Sequence, residues 1–255
     1  MNKLEQAIRK TADQGLFGSS IFNGSQTSCI EEIEKMELSY TLSHEDLKKK
    51  KIIYPSMHNS KLMNAFRELR SSVTENNHKN IVMVTALDPN SGTSFFARNL
   101  ASVIAFDSSK TSVLVDCNHQ NSEIAKVFDL SNKVGISDYV SNKDHGIDSI
   151  IYESGVKRLR VVPFGSVDTQ LDEQFNHPRF HNLLGDLKHK YQDRSIIIDA
   201  PPILNSADTR ILMNLCDQVV LVVPYGKVSQ SRLEEALSLL SREKLTGVVF
   251  NEYMN

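Results

Sequence analysis

From residue 80 onward, the sequence alternates between short, continuous apolar runs and segments with helical periodicity. The apolar runs are rich in β-branched residues and cover residues 81–85, 112–116, 159–164, 195–199, 218–224 and 247–251. Helical segments separate most of them, notably residues 180–191 and 229–243. Continuous apolar strands that alternate with helices are typical of a parallel sheet that is buried on both faces. The pattern therefore predicts an α/β fold in which helices sandwich a parallel sheet.

The first 80 residues lack this alternation. Apolar residues at helical spacing predict a short amphipathic helix near the N-terminus, followed by a polar linker. Residues 30–55 mix charge with weak periodicity, so we expect them to be poorly ordered or packed along the core. An amphipathic helix leading into the fold is predicted by the spacing of Leu62, Phe66, Leu69 and Val73. We therefore divide the chain into a less ordered N-terminal helix and linker (1–54) and an α/β domain (55–255).

Composition excludes several classes of protein. The hydrophobic fraction of 40% and the charged fraction of 24% are ordinary for a globular chain. A net charge of -2 gives no electrostatic reason to expect a nucleic-acid partner. The three cysteines are isolated, which indicates neither a disulfide framework nor a zinc site and fits a reducing cytoplasm. No apolar run is long enough for a signal peptide or a membrane span, so we expect any membrane association to be peripheral or through a partner.

A phosphate-binding loop is indicated between the first predicted strand and the helix after it. Residues 85–101 place Gly92 and Ser94 where a Walker A loop has its last glycine and its Mg²⁺-binding hydroxyl. Thr93 stands where such a loop has a lysine, and Asn90 stands where a glycine would relax the turn. Backbone N–H groups and the helix N-terminus can still bind phosphate without the lysine. The charge that offsets the β and γ phosphates is lost.

Two aspartates follow other predicted strands. Asp116 ends residues 112–116, and Asp199 ends residues 195–199 in a Walker B-like pattern. Ligands of parallel sheets bind at the carboxyl ends of the strands, so we expect both acids to converge with the loop on one edge. Each can serve Mg²⁺ or a bound water, and Asp116 taken alone can equally be a helix cap. Asp208 can likewise be a cap or turn residue.

With these segments in order, residues 55–252 resemble the cytoplasmic kinase domain of bacterial tyrosine kinases, which are P-loop relatives of MinD and ParA. The resemblance runs through the loop, VLVDCN, SIIIDAPPILNSAD, QVVLVVPYGKVS and GVVFN. It implies a P-loop NTPase-like fold whose members bind ATP or ADP with Mg²⁺, and the missing lysine implies that such binding is weak or absent here. The nucleotide-binding positions that it implies are Asn90, Ser91, Gly92, Thr93, Ser94, Phe95 and Asn251. The implied metal positions are Ser94, Asp116 and Asp199, and the two aspartates are also the implied catalytic residues, vestigial if the chain is inactive.

The chain departs from the family pattern at several places. The family loop P-G-E-G-K-S-T is here Pro89-Asn90-Ser91-Gly92-Thr93-Ser94-Phe95, and the family D-x-D is Asp116-Cys117-Asn118. Relatives carry a tyrosine-rich tail, whereas only Tyr253 follows the last predicted strand here. We expect Arg98 to point to solvent and so not to replace the missing lysine. These losses favour a chain that kept the kinase fold and lost the chemistry.

Three functions remain open on the sequence. The first is a pseudokinase-like protein of exopolysaccharide or capsule biosynthesis and export that binds a polysaccharide co-polymerase, the membrane chain-length partner of the family. The alternative is an active ATP-dependent tyrosine autokinase of the same pathway, and the third is a MinD-like ATPase. The resemblance also implies homo-oligomer assembly through the Phe66-Arg67-Glu68-Leu69-Arg70 helix. It implies a cytoplasmic location, peripheral to the inner membrane through the partner.

Overall fold

A seven-stranded sheet forms the centre of the chain in a computed structural model that describes residues 38–57, 60–75, 80–142, 144–166, 174–189 and 194–252. The strands are β1 (Ile81–Ala86), β2 (Thr111–Asp116), β3 (Tyr152–Glu153), β4 (Leu159–Val162), β5 (Arg194–Asp199), β6 (Gln218–Pro224) and β7 (Leu245–Asn251). The α-helices are α1 (His44–Lys49), α2 (Ser60–Thr74), α3 (Thr93–Ala105), α4 (Glu123–Val127), α5 (Ile136–Ser141), α6 (Pro178–His189), α7 (Ala207–Leu215) and α8 (Gln230–Leu239).

The strand order across the sheet is β3-β4-β2-β5-β1-β6-β7. Neighbouring strands are parallel, except that the short β3 runs antiparallel to β4. The predicted P-loop NTPase-like α/β fold is confirmed. The sequence did not predict β3, because a two-residue strand carries no detectable periodicity.

Alternate residues of the central strands enter two separate cores. Met83, Val113 and Ile196 belong to the core that is closed by side chains of α5, α6, α7 and α8. Val82, Leu114 and Ile197 belong to the core that is closed by α2, α3 and the segment before α2. Burial on both faces explains why the strands read as continuous apolar runs. Asp116 follows Leu114 by two residues and Asp199 follows Ile197 by two residues. The side chains of both acids therefore lie on the face of the sheet that α3 covers.

The segment before α2 packs along the second core. The hydroxyl of Ser43 caps α1 by accepting from Asp46 N, and the chain then buries Ile52 and Ile53. The amide side chain of Asn99 accepts from Ile53 N at 2.7 Å and donates to Lys51 O at 3.0 Å. The sequence leaves two possibilities for residues 30–55, poor order or packing along the core. The described part, residues 38–55, packs along the core.

Two expectations for the N-terminal region remain predictions. The helix near the N-terminus and its linker fall within residues 1–37, outside the described residues, and the domain division at residue 54 stays a prediction. None of the helices in the part of the chain that the structure describes is both long and apolar enough to cross a membrane.

Candidate functional site

The loop after β1 has the backbone of a phosphate-binding turn. Asn90 and Gly92 both adopt positive φ angles, of 61° and 95°, and Gly92 is the N-cap of α3. Ser91 Oγ donates to Asp88 O at 2.8 Å and closes the turn. Asparagine tolerates the left-handed region better than most residues, so the loop keeps its shape without a glycine at position 90.

Asn251, at the end of β7, holds this loop in place. Its side-chain Nδ2 donates to Ser91 O at 2.9 Å. A Cβ atom at Gly92 would clash with the same amide group and displace the Asn251 side chain, and the positive φ of Gly92 independently favours glycine. In this structure Asn251 therefore binds the loop, and its predicted contact with a nucleotide stays a prediction.

The first turn of α3 carries the remaining loop positions. Thr93 and Ser94 are buried, and Thr93 supplies no charge at the lysine position. Phe95 packs edge-on against Phe66 of α2 and Phe96, with ring centroids 6.1 and 5.6 Å apart. Phe95 is thus part of the aromatic contact between α2 and α3. The nucleotide-binding roles of these residues stay predictions.

Asp116 and Asp199 lie side by side at the carboxyl ends of β2 and β5. They are paired in the parallel register and fully buried. Asp116 accepts hydrogen bonds from Asn118 N at 3.1 Å and Ser122 Oγ at 2.9 Å. Neither carboxylate oxygen of Asp199 has a hydrogen-bond partner among the described residues. The strand register places both acids at the carboxyl end of the sheet, as predicted. Strand β5 also neighbours β1, whose carboxyl end leads into the loop, so the loop lies at the same end.

Burial dominates the electrostatics of this acid pair. Desolvation raises the pKa of Asp116 to about 7, against the opposing effect of the hydrogen bonds from Ser122 and Asn118. Desolvation also raises the pKa of Asp199 well above its usual range, and the neighbouring Asp116 carboxyl adds to that rise. The Ser94 hydroxyl opposes the rise, although its contact with Asp199 does not meet normal hydrogen-bond geometry. The pair therefore favours a bound proton or cation.

Arg98 does not point to solvent, and that prediction was wrong. Its side chain is buried in α3, and Nη1 lies 2.9 Å from Glu123 Oε1 at the start of α4. The guanidinium also lies 5.3 Å from the centroid of the Phe95 ring. Helix α3 is covered by the sheet on one side and by α2 and the segment before α2 on the other. The face of α3 that carries Arg98, which a helical pattern would assign to solvent, therefore lies inside the protein. The arginine pairs with Glu123 in place of reaching back to the loop.

Other charged candidates are engaged elsewhere. Lys110 precedes β2 and therefore lies at the opposite edge of the sheet from Asp116. Arg232 of α8 forms an ion pair with Asp88 at the start of the loop. Asp208 lies in the first turn of α7, which Ser206 caps, and its carboxylate is 3.9 Å from His119 Nδ1. Asp208 is thus a first-turn acid and not the cap itself.

The site fits a magnesium ion that is shared with phosphate. Ser94, Asp116 and Asp199 offer the oxygen ligands that Mg²⁺ takes alongside nucleotide phosphates. Asp199 has two buried oxygens without a hydrogen-bond partner in the described part of the chain, a condition that a bound cation or donor would relieve. Within the described ranges, no cluster of three or more His, Cys, Asp or Glu side chains could hold a metal alone. Phosphates would have to complete the coordination, over a loop that lacks its lysine.

The Arg98–Glu123 pair is not predicted by the sequence patterns. Arg98 follows Ser94 by four residues, which places both on one face of α3. That spacing is a usable signal, because Ser94 is implied to share a metal site with Asp116 and Asp199. The partner was out of reach, since nothing local links Arg98 to a glutamate 25 residues away.

Comparison with known proteins places the chain in a family. It is 30% identical to the tyrosine-protein kinase CpsD of Streptococcus agalactiae over 192 residues, which cover 73% of this chain and 81% of that one. It superposes on the kinase domain of the Escherichia coli tyrosine kinase ETK with a TM-score of 0.70 and 23% identity, over 85% of this chain and 88% of that one.

A more distant likeness concerns the fold alone. The cell division ATPase MinD of Pyrococcus furiosus superposes with a TM-score of 0.53 and 19% identity, over 68% of this chain and 70% of that one. A search against models of protein families found no match. The identity to CpsD and the extent of its coverage show that the chain belongs to the bacterial tyrosine-protein kinase family, whose P-loop fold is related to that of MinD and ParA ATPases.

Proposed function

We propose that this chain is a non-catalytic, pseudokinase-like member of the family that acts in exopolysaccharide or capsule biosynthesis and export by binding a membrane co-polymerase partner. The observation that carries the proposal is the buried Thr93 at the lysine position of an otherwise well-formed loop. The two nearby arginines are paired with acids, Arg98 with Glu123 and Arg232 with Asp88. The second acid of the family pattern is also an amide, Asn118.

The expected loss of rate is large. Removing one preorganised donor from a transition-state site costs about 3 kcal/mol, and a charged lysine at the transferred phosphate is at least as important. A loss of about 3 kcal/mol slows the reaction by roughly 10²-fold. Binding of a nucleotide can survive such a change, because backbone N–H groups and the dipole of α3 contribute without a side chain.

An active tyrosine autokinase of the same pathway is the second candidate. The paired Asp116 and Asp199 beside Ser94 support it, because these are the groups that hold Mg²⁺ in an active site. We rank it second because an intact metal site without the lysine lacks the charge that stabilises the transferred phosphoryl group.

The proposal includes a cytoplasmic location, peripheral to the inner membrane through the partner, and self-assembly through α2. The exposure of the α2 residues limits which of them can form the self-assembly interface. Phe66 is buried in the core of its own chain, whereas Arg67 and Glu68 are exposed. Arg70 Nη1 lies 3.5 Å from Val103 O of the same chain. An interface built on this helix would therefore use Arg67 and Glu68.

A lysine restored at position 93 tests the loss of catalysis. With Mg·ATP and a co-purified co-polymerase, we expect no tyrosine phosphorylation by the wild-type chain above that of Asp199→Asn. Thr93→Lys is expected to raise phosphorylation by about 10²-fold or more if the lysine is the main missing group. Incorporation of phosphate by the wild type at the level of Thr93→Lys, abolished by Asp199→Asn, would show that the chain is an active kinase.

Partner binding is tested separately with the same variants. The wild type, Thr93→Lys and Asp199→Asn should all co-purify with the co-polymerase of the same cell, because a scaffold does not need turnover. Loss of the complex only in Asp199→Asn would mean that the nucleotide site, and not the fold, controls the partner.

A further inference from the structure

Strand β7 forms one edge of the sheet, and no described strand lies beyond it. Its seven residues, Leu245–Asn251, include neither a proline nor a charged side chain. Native proteins protect an edge strand by shortness, charge, proline, a bulge or a covering segment, because its unpaired backbone groups can pair with another strand. The one bulge in the pairing of β7 lies near its start, opposite Val219 and Val220, so residues 247–251 form a regular edge.

The opposite edge of the sheet is protected. Strand β3 has only two residues, and the side chain of Glu153 accepts hydrogen bonds from the backbone N and the Oγ of Ser39 at 2.9 and 2.6 Å. Just beyond β3, Gly155 O accepts from Leu42 N at 2.9 Å. The segment before α1 therefore lies along the β3 edge. Among the described residues, the β7 edge has no such cover.

Large apolar side chains are exposed at the β7 edge. Four such side chains are exposed in the part of the chain that the structure describes, and three of them are Val248, Phe250 and Tyr225. Val248 and Phe250 are 38% and 54% exposed and lie two residues apart, so they share one face of the strand. The Tyr225 ring meets the Phe250 ring edge-on, with centroids 6.3 Å apart. A strand added beside β7 would cover this apolar row.

The backbone groups of Val248 and Phe250 point away from β6. Asn251 O accepts from Tyr225 N at 2.8 Å, so the carbonyl of Asn251 points toward the β6 side. The backbone groups of successive residues in a strand point to opposite sides, so those of Val249 also face β6 and those of Val248 and Phe250 face outward. Strand addition to a sheet edge uses such main-chain groups together with the side chains at alternate positions. Here the outward backbone groups and the exposed side chains belong to the same residues.

We propose that β7 pairs with β7 of a second copy of this chain, antiparallel and about a two-fold axis at Val248. On that axis, the outward N–H and C=O of Val248 in each copy bond to those of Val248 in the other, which is the hydrogen-bonded pair of an antiparallel ladder. The axis is perpendicular to the sheet, so the α8 faces of both copies lie on the same side and their exposed apolar side chains become neighbours. The proposal goes beyond the proposed function and uses residues other than the exposed Arg67 and Glu68 of α2.

A second copy fits this edge in charge as well as in shape. Because β7 has no charged residue, no like charges oppose each other when the strand pairs with itself. Lys244 precedes the strand and Glu252 follows it, so an antiparallel arrangement brings unlike ends together and a parallel one brings like ends together. Lys244 and Glu252 each already have a contact within their own chain, so they orient the pairing more than they strengthen it.

Opposite charges at position 248 test the dimer. We would measure sedimentation velocity of the full chain from about 1 to about 100 µM, with Arg67→Ala in every sample to weaken assembly through α2, and expect a concentration-dependent dimer. Val248→Lys and Val248→Glu should each weaken this dimer at least about tenfold, because two like charges then meet at the axis. An equimolar mixture of the two variants should restore it, because unlike charges then meet. Mixing does not repair a misfolded chain.

Tyr40→Lys is the matched control, because Tyr40 is the remaining exposed large apolar side chain among the described residues and lies at the opposite edge, beside Glu153 O. It should leave the dimer unchanged. Amide hydrogen exchange gives a second readout that needs no substitution in β7. The amides of Val248 and Phe250 should exchange at least about tenfold more slowly at the highest protein concentration than at the lowest.

Each of four results would overturn the proposal: a monomer at every concentration, a dimer that Val248→Lys leaves intact, folded charge variants whose mixture stays monomeric, or protection of the two amides that does not change with concentration. The last result would mean that another segment of the same chain covers β7. None of the four bears on the proposed function, which fails instead if the wild type phosphorylates tyrosine.

Discussion

At the scale of single residues, the loop depends on one contact between distant parts of the chain. Gly92 has no Cβ, tolerates a φ of 95° and so leaves room for the side-chain amide of Asn251, which donates to Ser91 O. The phosphate loop of β1 is thus attached to the last strand of the sheet. A methyl group at this position would strain the helix N-cap and displace the Asn251 side chain from the loop.

Gly92→Ala tests that contact. We expect it to destabilise the protein by about 2–3 kcal/mol, from strain at a positive φ together with the clash on Asn251. Gly226→Ala is the matched control, because Gly226 has a φ of 69° but open space around its Cβ position, and it should cost only about 1 kcal/mol. Urea denaturation measures both. Equal losses in the two variants would show that the Asn251 contact contributes nothing.

At the scale of elements, α2 is held to the domain by aromatic packing. The Phe66 ring stacks on Phe96 at 5.3 Å and meets Phe95 edge-on at 6.1 Å, and it is buried. Residues 64–70 of α2 therefore contribute to two surfaces, one buried against the domain and one exposed. The buried positions anchor the helix to its own chain, and the exposed positions are left for another molecule.

Two substitutions in α2 separate these roles. Phe66→Ala should cost about 3–5 kcal/mol of stability, as expected for a buried phenylalanine. Arg67→Ala, on the exposed face, should change stability by less than about 0.5 kcal/mol. If α2 mediates self-assembly, Arg67→Ala shifts the sedimentation of the protein toward the monomer while its melting curve stays the same. An unchanged oligomeric state would remove Arg67 from the interface.

At the scale of the whole molecule, the two acids make stability depend on pH. Burial raises the pKa of Asp116 from 3.8 to about 7 and raises that of Asp199 as well. The folded protein therefore keeps protons that the unfolded chain has already released. Between about pH 4 and about pH 7, the folded state binds more protons than the unfolded state, so stability falls as the pH rises.

Urea unfolding across this range provides the measurement. We expect the wild type to lose a few kcal/mol of stability between about pH 5 and about pH 8, since each pKa unit corresponds to about 1.4 kcal/mol. Asp116→Asn/Asp199→Asn should flatten the profile and be more stable than the wild type at the alkaline end. A wild-type stability that rises with pH over this range would mean that the acids are ionised in the folded protein.

The fold was largely predictable because its signals are local. A strand that is buried on both faces must be apolar at every position, so the central strands and the loop between β1 and α3 could be read directly. The same reasoning placed Asp116 and Asp199 at strand ends. The prediction for Arg98 was wrong because the outer side of α3 is covered by α2 and by residues 38–57. The hydrophobic periodicity of α3 does not indicate that covering.

By itself, the sequence determined the α/β class, the strand ends that carry the acids, and the absence of a lysine at position 93. These follow from residue types and from spacings within a few turns of chain. The tertiary structure alone decided that Asn251 binds the loop from 160 residues away, and that Arg98 is buried against Glu123. The physical reason is that burial and charge pairing depend on which distant segments meet, and a local pattern does not encode that meeting.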